Sequence, residues 1–527
     1  MHTLLPFLLA MVAAIVLLEM LATKLKVAYP IVLVIAGLLI SFIPGLPVVK
    51  INPDLIFFIF LPPLLFSAAW SISFKEMKRW WRIIGSFAFL VVFFTAFSVA
   101  VVTAHFIPGF TLALGFLLGG IVSPPDAVST GAITRFVKIP KTTRAILEGE
   151  SLLNDASSLI IFRFALIAVG TGQFIWMDAS LSFVWMILGG AAIGLVLAIV
   201  FIKAHKYLPT DAPSDIALTL IEPYFMYWVA EQLHSSGVLA VVAGGLLMSA
   251  RNLTFLNSTS RVSGFSVWES LEFILNGVVF LIIGLELPEI VAGLKTDGIE
   301  TSTAIRYGVL VTAVLIIARI LSSYMAMLAT LMFRPNAATA ILANKRRFWI
   351  PMLLGWTGMR GVVSLAAALA IPVTLNGVDF PHRNLILFIT FIVILLTLVV
   401  QGLTLPYLIR RTQLFETFND PAGEEAIVQQ IKRELKEHTY LFLKNKYDNE
   451  LHDHAGMQRL LQHWEEKNKT AEEEDWMTDQ TKSIYKEMLE VQRNYLIELN
   501  KDITVDEEVI RMHLYRIDLE EERLNVM

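Results

Sequence analysis

The chain has 527 residues, 56% of them hydrophobic and only 17% charged, well below the roughly 25% charge of an ordinary soluble protein. With no cysteine, disulfides, thiolate nucleophiles and cysteine metal sites are excluded. The net charge of −4 divides unevenly: from Arg411 onward there are 27 acidic and 16 basic residues, and before it 19 acidic and 26 basic. Basic loops beside an acidic tail explain that division without any nucleic-acid partner.

From Met1 to about Ile409 the chain is a series of apolar runs long enough to cross a hydrocarbon core of roughly 30 Å as helices. The opening MHTLLPFLLAMVAAIVLLEM lacks the basic start of a signal peptide and reads as a first span. In chain order the predicted spans cover about 3–22, 28–44, 51–70, 83–107, 111–134, 144–169, 181–203, 215–232, 237–250, 266–287, 305–333, 350–372 and 384–409, assigned from apolar runs and their breakers. The expected architecture is an all-α membrane protein of about thirteen spans. Residues 1–411 form the transmembrane domain and 412–527 a helical cytoplasmic tail.

The loops alternate in charge. Lys24 and Lys26, then Lys75, Lys78, Arg79 and Arg82, then Arg135, Lys138, Lys141 and Arg144 mark one side, as do Lys203, Lys206, Arg251, Arg261 and the basic run before the twelfth span. The other side carries only Lys50, Lys295, Arg306 and Arg383. By the positive-inside rule the basic side is cytoplasmic, which puts the N-terminus outside and the tail inside.

Spans one to six and eight to thirteen start on opposite sides, as two inverted repeats require, with the seventh as link. The fifth member of each half is interrupted: GGIVSPPDAVSTGA in one, GWTGMRGVVSLAAALAIP in the other. Pro124 and Pro125 remove helix donors, and Gly355, Gly358 and Gly361 weaken the second helix. Paired breaks at matching positions point to a midplane binding site in a transporter.

Charged residues at membrane depth cost at least about 2.5 kcal/mol each, so Asp126, Glu150, Asp155, Arg163, Glu222, Arg319 and Arg360 each need a partner or a task. Asp155 is the sharpest. Within EGESLLNDASSLIIFRF, Ser151, Asp155 and Ser158 share a helical face, with Asn154 beside Ser151. These oxygens suit a hard cation such as Na+, and a lone buried carboxylate holds either a cation or a proton. Asp126 has two open readings, an ion ligand or compensation of a helix end at the break. Arg360 is expected to offset helix C-terminal ends. Arg319 needs an anion, and Glu150 is the choice. Arg163 and Glu222 have no assigned role.

Together FFIFLPPLLFSAAW, SPPDAVST, EGESLLNDASS and GMRGVVSLAAALAIP resemble the Asn-Asp class of monovalent cation:proton antiporters, the NhaP-like and NHE-like sodium/proton exchangers. The resemblance spans the whole membrane domain. It implies a homodimer in the cell membrane, a core domain with unwound fifth and twelfth spans, and electroneutral exchange of Na+ for H+ by alternating access. Carried over by motif, Asp155 alternates between Na+ and H+. Asn154 lies beside it, Ser151 is a ligand with backbone oxygens near Pro125, and Glu150 pairs with Arg319. K+/H+ or Li+/H+ exchange is the alternative within the class; a cation channel or membrane sensor is the alternative outside it. Neither a cofactor nor an enzymatic activity is expected: no Walker motif, HExxH or nucleotide fingerprint occurs. Two positions depart from the family. Ser67 stands where the family often has an acid after LPPLLF, and Pro125 where many relatives have Thr.

The tail reads as helices over EEAIVQQIKRELKEHTYLFLKNKY, QTKSIYKEMLEVQRNYLIELNKD and VDEEVIRMHLYRIDLEEERL, by apolar recurrence at three and four residues. It is either a regulatory or dimer-contacting module or a small bundle supporting assembly.

Overall fold

The computed structural model describes residues 4–43, 58–72, 74–126, 131, 141–172, 176–333, 348–375 and 377–412, and in the tail 430, 433–435, 437–442, 444–445, 465, 479–499 and 507–526. The chain forms two compact units, Met1–Asn419 and Asp420–Met527. The first is helical: α1 Leu4–Leu25, α2 Tyr29–Ile40, α3 Leu61–Ser71, α4 Phe74–Gly85, α5 Val92–Phe106, α6 Leu112–Val122, α7 Lys141–Thr171, α8 Trp176–Tyr207 and α9 Ala212–Gln232. There follow α10 Gly237–Phe255, α11 Ser258–Leu285, α12 Leu287–Thr296, α13 Thr301–Phe333, α14 Trp349–Trp356, α15 Val362–Leu369, α16 Arg383–Leu396 and α17 Gly402–Thr412. A two-residue antiparallel pair, Thr374–Leu375 with Val378–Asp379, is a small addition to the expected all-α fold.

Among the described residues eight helices are long and apolar enough to cross a membrane. Their outer surfaces keep large apolar side chains uncovered: Leu17 is 66% exposed, Leu188 64% and Ile317 64%. Apolar groups exposed all along such helices belong against lipid, where only internally hydrogen-bonded backbone is tolerated. Inside, helices approach closely through small residues. A Cβ at Gly37 would strike the Leu281 carbonyl, and one at Gly284 the Val34 carbonyl, so α2 and α11 cross backbone to backbone.

Several boundaries differ from the sequence reading for local reasons. The tenth-span helix starts at Ser258, ahead of the expected 266, because Asn257 caps it: its Oδ1 accepts from Ser260 N at 2.8 Å. Helix α9 is capped by Asp211, whose Oδ1 accepts from Ser214 N at 3.0 Å. The ninth-span helix runs on to Phe255. The segments predicted as the fourth and thirteenth spans each contain a π-helical turn, Ser86–Val91 and Thr397–Gln401, an irregularity that periodicity does not reveal. Helix α12 is extra. Residues 51–57 of the third span, 127–130 and 132–134 of the fifth, and most of the first tail helix lie outside the described residues.

The two interrupted spans come together. Helix α6 stops at Val122, and residues 123–126 leave the helix with Pro124 and Pro125 unable to donate. Residues 357–361 separate α14 from α15. Asp126 N donates to the Met359 carbonyl at 2.7 Å, which joins one break to the other.

The second unit contains α18 Asp479–Leu499 and α19 Glu507–Val526. They pack through Leu489, Ile517 and Leu524. Arg493 on α18 reaches Asp518 at 2.9 Å and Glu521 at 2.7 Å on α19. The Tyr485 hydroxyl donates to Glu520 Oε1 at 2.6 Å, a bond that pushes the phenol above its ordinary titration range.

Candidate ion site at the helix breaks

Helix α7 carries Glu150, Ser151, Asn154 and Asp155 against the broken α6. Residues three and four apart lie on one face, so the helix presents Ser151 and Asn154 together to Pro125. The Pro125 carbonyl accepts from Ser151 Oγ at 3.3 Å and from Asn154 Nδ2 at 3.2 Å. Side chains thereby satisfy an oxygen that a continuous helix would have paired with an N–H.

Asp155 is 8% exposed and opens onto a cavity of about 1160 Å³, which Asp126, Ser151 and Ser67 also line. Asn154 does not line that cavity; it sits fully buried behind it, with its Oδ1 unpaired among the described residues. Among the described residues, seven carboxylates and two arginines, Arg144 and Arg261, line the cavity. Arg144 is bonded to Glu148 at 2.6 Å and Arg261 to the Leu256 carbonyl at 2.5 Å. An acid-rich, low-dielectric funnel concentrates cations.

Among the described residues, both buried arginines are engaged away from Asp155. Arg319 on α13 holds Glu150 in a two-pronged pair, Nη1–Oε1 at 2.7 Å and Nη2–Oε2 at 3.0 Å. Arg360 lies in the second break, where its Nε donates to the Val122 carbonyl at 2.7 Å and its Nη2 to the Ser123 carbonyl at 3.2 Å. It also reaches the Gly358 carbonyl. The Val122 and Ser123 carbonyls are those at the C-terminal end of α6, where a cation is favoured. The Arg360 N–H donates to Thr397 Oγ1 at 3.1 Å, at the start of the second π-helical turn. Asp126 lies at the N-terminal end of α15, and a Cβ at Gly361 would collide with its carboxylate. The two breaks therefore set an arginine at a C-terminal end and an aspartate at an N-terminal end, the signs each terminus favours.

The transmembrane profile of the sodium/hydrogen exchanger family matches residues 8–411. This chain belongs to that family. It is 34% identical over 388 residues to the "Sodium, potassium, lithium and rubidium/H(+) antiporter" of Bacillus pumilus, covering 72% of this chain and 57% of that protein. The chain thus spans little more than half the length of that relative. It is 30% identical over 393 residues to the low-affinity Na+/H+ antiporter of Synechocystis sp., covering 74% of this chain and 70% of that one. The fold matches the sodium proton antiporter of Methanocaldococcus jannaschii with a TM-score of 0.59 at 19% identity, over 77% of this chain and 97% of that one.

Within this exchanger fold the two unassigned charges find partners. Arg163 binds Glu231 with bonds of 2.9 and 2.7 Å from one nitrogen, and Glu231 also accepts from Gly237 N at 3.2 Å. Glu222 binds His205. Three further residues, Glu272, His205 and Asp215, were not singled out in the sequence. Ser67, where the family often has an acid, donates from Oγ to Glu272 Oε2 at 2.7 Å, and both line the cavity. A carboxylate thus stands beside the Ser67 position after all, but from α11. The 205 residues between the two hide the pairing from any local motif. His205 was missed because a lone histidine near a span end carries no local signal.

Proposed function

We propose that this membrane protein exchanges Na+ for H+ by alternating access, with Asp155 holding one cation or one proton at a time. The observation that carries the reading is the isolation of Asp155. It is a buried carboxylate on a cation-attracting cavity, with no ion pair to a basic side chain among the described residues, because Arg319 is held by Glu150 and Arg360 by backbone carbonyls. A bare buried carboxylate costs several kcal/mol, so it stays in company, and Na+ and H+ compete for it. One alternately occupied carboxylate makes the exchange one for one. Ser151 and the Pro125 carbonyl supply neighbouring oxygens, and Asp126 adds a second carboxylate to the same cavity. Asn154 acts by holding Pro125 in place. The basic loops set the tail on the cytoplasmic side and the N-terminus outside, in the cell membrane, and the functional unit is a homodimer. The Bacillus relative is named for four cations, so K+ and Li+ are tested beside Na+.

The experiment is proton flux in liposomes of purified protein, driven in turn by Na+, K+ and Li+. Wild type exchanges at least one of them, and Asp155→Asn, folded and inserted, falls to the rate of empty vesicles. Coupled exchange surviving in Asp155→Asn would falsify the reading. A current that scales with voltage without coupled proton movement would instead establish a channel.

A further inference from the structure

A second group of buried titratable side chains stands apart from Asp155. His205, near the end of α8, is fully buried. Both its ring nitrogens meet carboxylates on α9: Nδ1 lies 2.8 Å from Asp215 Oδ1, and Nε2 lies 2.7 Å from Glu222 Oε1. Asp215 and Glu222 are two helical turns apart, so one face of α9 clasps the ring from both edges. Ser260 on α11 donates to Asp215 Oδ2 at 2.7 Å, and the Phe255 ring of α10 covers the imidazole at 5.2 Å between centroids. The other Glu222 oxygen, Oε2, is buried with no partner among the described residues.

Proton counting shows what this group holds. A neutral imidazole has one N–H and can donate to only one of the two carboxylates. Both bonds form only with one extra proton, carried either as imidazolium or on a carboxylic acid. Without it, a ring lone pair faces a carboxylate and two negative charges are buried together, which is costly. A further proton can settle on Glu222 Oε2 without breaking either bond. Asp215, Thr219, Ser260 and Trp268 line the same cavity as Asp155, so protons reach the group from cavity water through Asp215. Among the described side chains, the other charged residues on the surrounding helices sit outside it. Lys203 and Lys206 on α8, Arg251 on α10 and Glu269 on α11 are exposed, as is Asp211 ahead of α9. Arg261 is bonded to the Leu256 carbonyl, Glu231 to Arg163 and Glu272 to Ser67.

We infer that His205, Asp215 and Glu222 form a second proton-binding site in the cavity wall, whose proton ties α8 to α9 and sets the pH range of exchange. The consequence for transport rests on Asp155 being the exchanging site. The proton content of the cluster does not.

Two variants give opposite signs. Glu222→Gln keeps an acceptor for His205 but removes a charge that holds the proton, so the midpoint of the exchange–pH profile moves to lower pH by about one unit. Ser260→Ala removes a donor that favours ionised Asp215, so the midpoint moves to higher pH by about half a unit. Maximal rates stay near wild type. The same shifts appear in pH-difference infrared spectra of the carboxyl and imidazole bands, recorded on the Asp155→Asn background, where transport plays no part. Shifts of the same sign, or none, in the infrared titration overturn the site. Opposite infrared shifts with an unmoved transport midpoint overturn its control of exchange. If Glu222→Gln does not fold, Ser260→Ala alone decides by the sign of its shift. Exchange persisting in Asp155→Asn would remove the assigned ion site while leaving the infrared result readable.

Discussion

The Glu150–Arg319 pair offers a quantitative test of what the interior tolerates. The two side chains are 1% and 2% exposed, and they meet through two bonds of 2.7 and 3.0 Å. Arg360 lies close by: a Cβ at Gly358 would touch both the Arg319 and the Arg360 side chains. The three residues together carry one net positive charge. Glu150→Leu leaves two buried guanidiniums facing each other, with Arg319 unpaired. Arg319→Met leaves Glu150 with Arg360 as the remaining nearby cation. Breaking a buried pair costs about 3–5 kcal/mol, and the Glu150 variant should stand at the upper end because it adds like-charge repulsion. The double variant Glu150→Leu with Arg319→Met restores one net positive charge and fills the space with apolar groups, so most of the loss returns. Thermal denaturation of the four purified proteins in one detergent, read by loss of monodisperse material, gives the cycle. A coupling of about 3 kcal/mol is expected. Additive losses, with the double variant worse than either single one, would show that the pair is not an interdependent unit and refute the reasoning.

Gly361→Ala drives a methyl into the Asp126 carboxylate and should lower the maximal exchange rate at least about tenfold by displacing Asp126 from the end of α15; an unchanged rate in liposomes would count against any role for that contact. Ser67→Ala removes the donor that orients Glu272, so the Na+ concentration for half-maximal rate should rise about two- to fivefold, the worth of one hydrogen bond, with maximal rate retained. Asp211 is held below the usual carboxylate range by its hydrogen bonds from Ser214. Its stabilisation of the start of α9 is therefore fully present above the ordinary carboxylate range and fades as pH falls through the lowered value. Hydrogen exchange of the first α9 turn should accelerate with acidity relative to Asp211→Asn, after correction for intrinsic rates.

The sequence alone carried the membrane class, the helical fold and the two breaks, because each rests on local chemistry. A long apolar run has no soluble alternative, a proline pair ends a helix wherever it lies, and a carboxylate such as Asp155 in an apolar helix is conspicuous without a partner in view. Charge balance also limited the choices, since few buried anions were available to Arg319. The tertiary structure decided what depends on distant segments meeting. It joined Asp126 to Met359 and set Arg360 on the Val122 and Ser123 carbonyls. It turned Asn154 toward Pro125 and away from the cavity. It also supplied Glu272 beside Ser67, and it enclosed His205 between Asp215 and Glu222. Such partners are fixed by which helix faces pack against each other, and that is a property of the whole bundle that no single span contains.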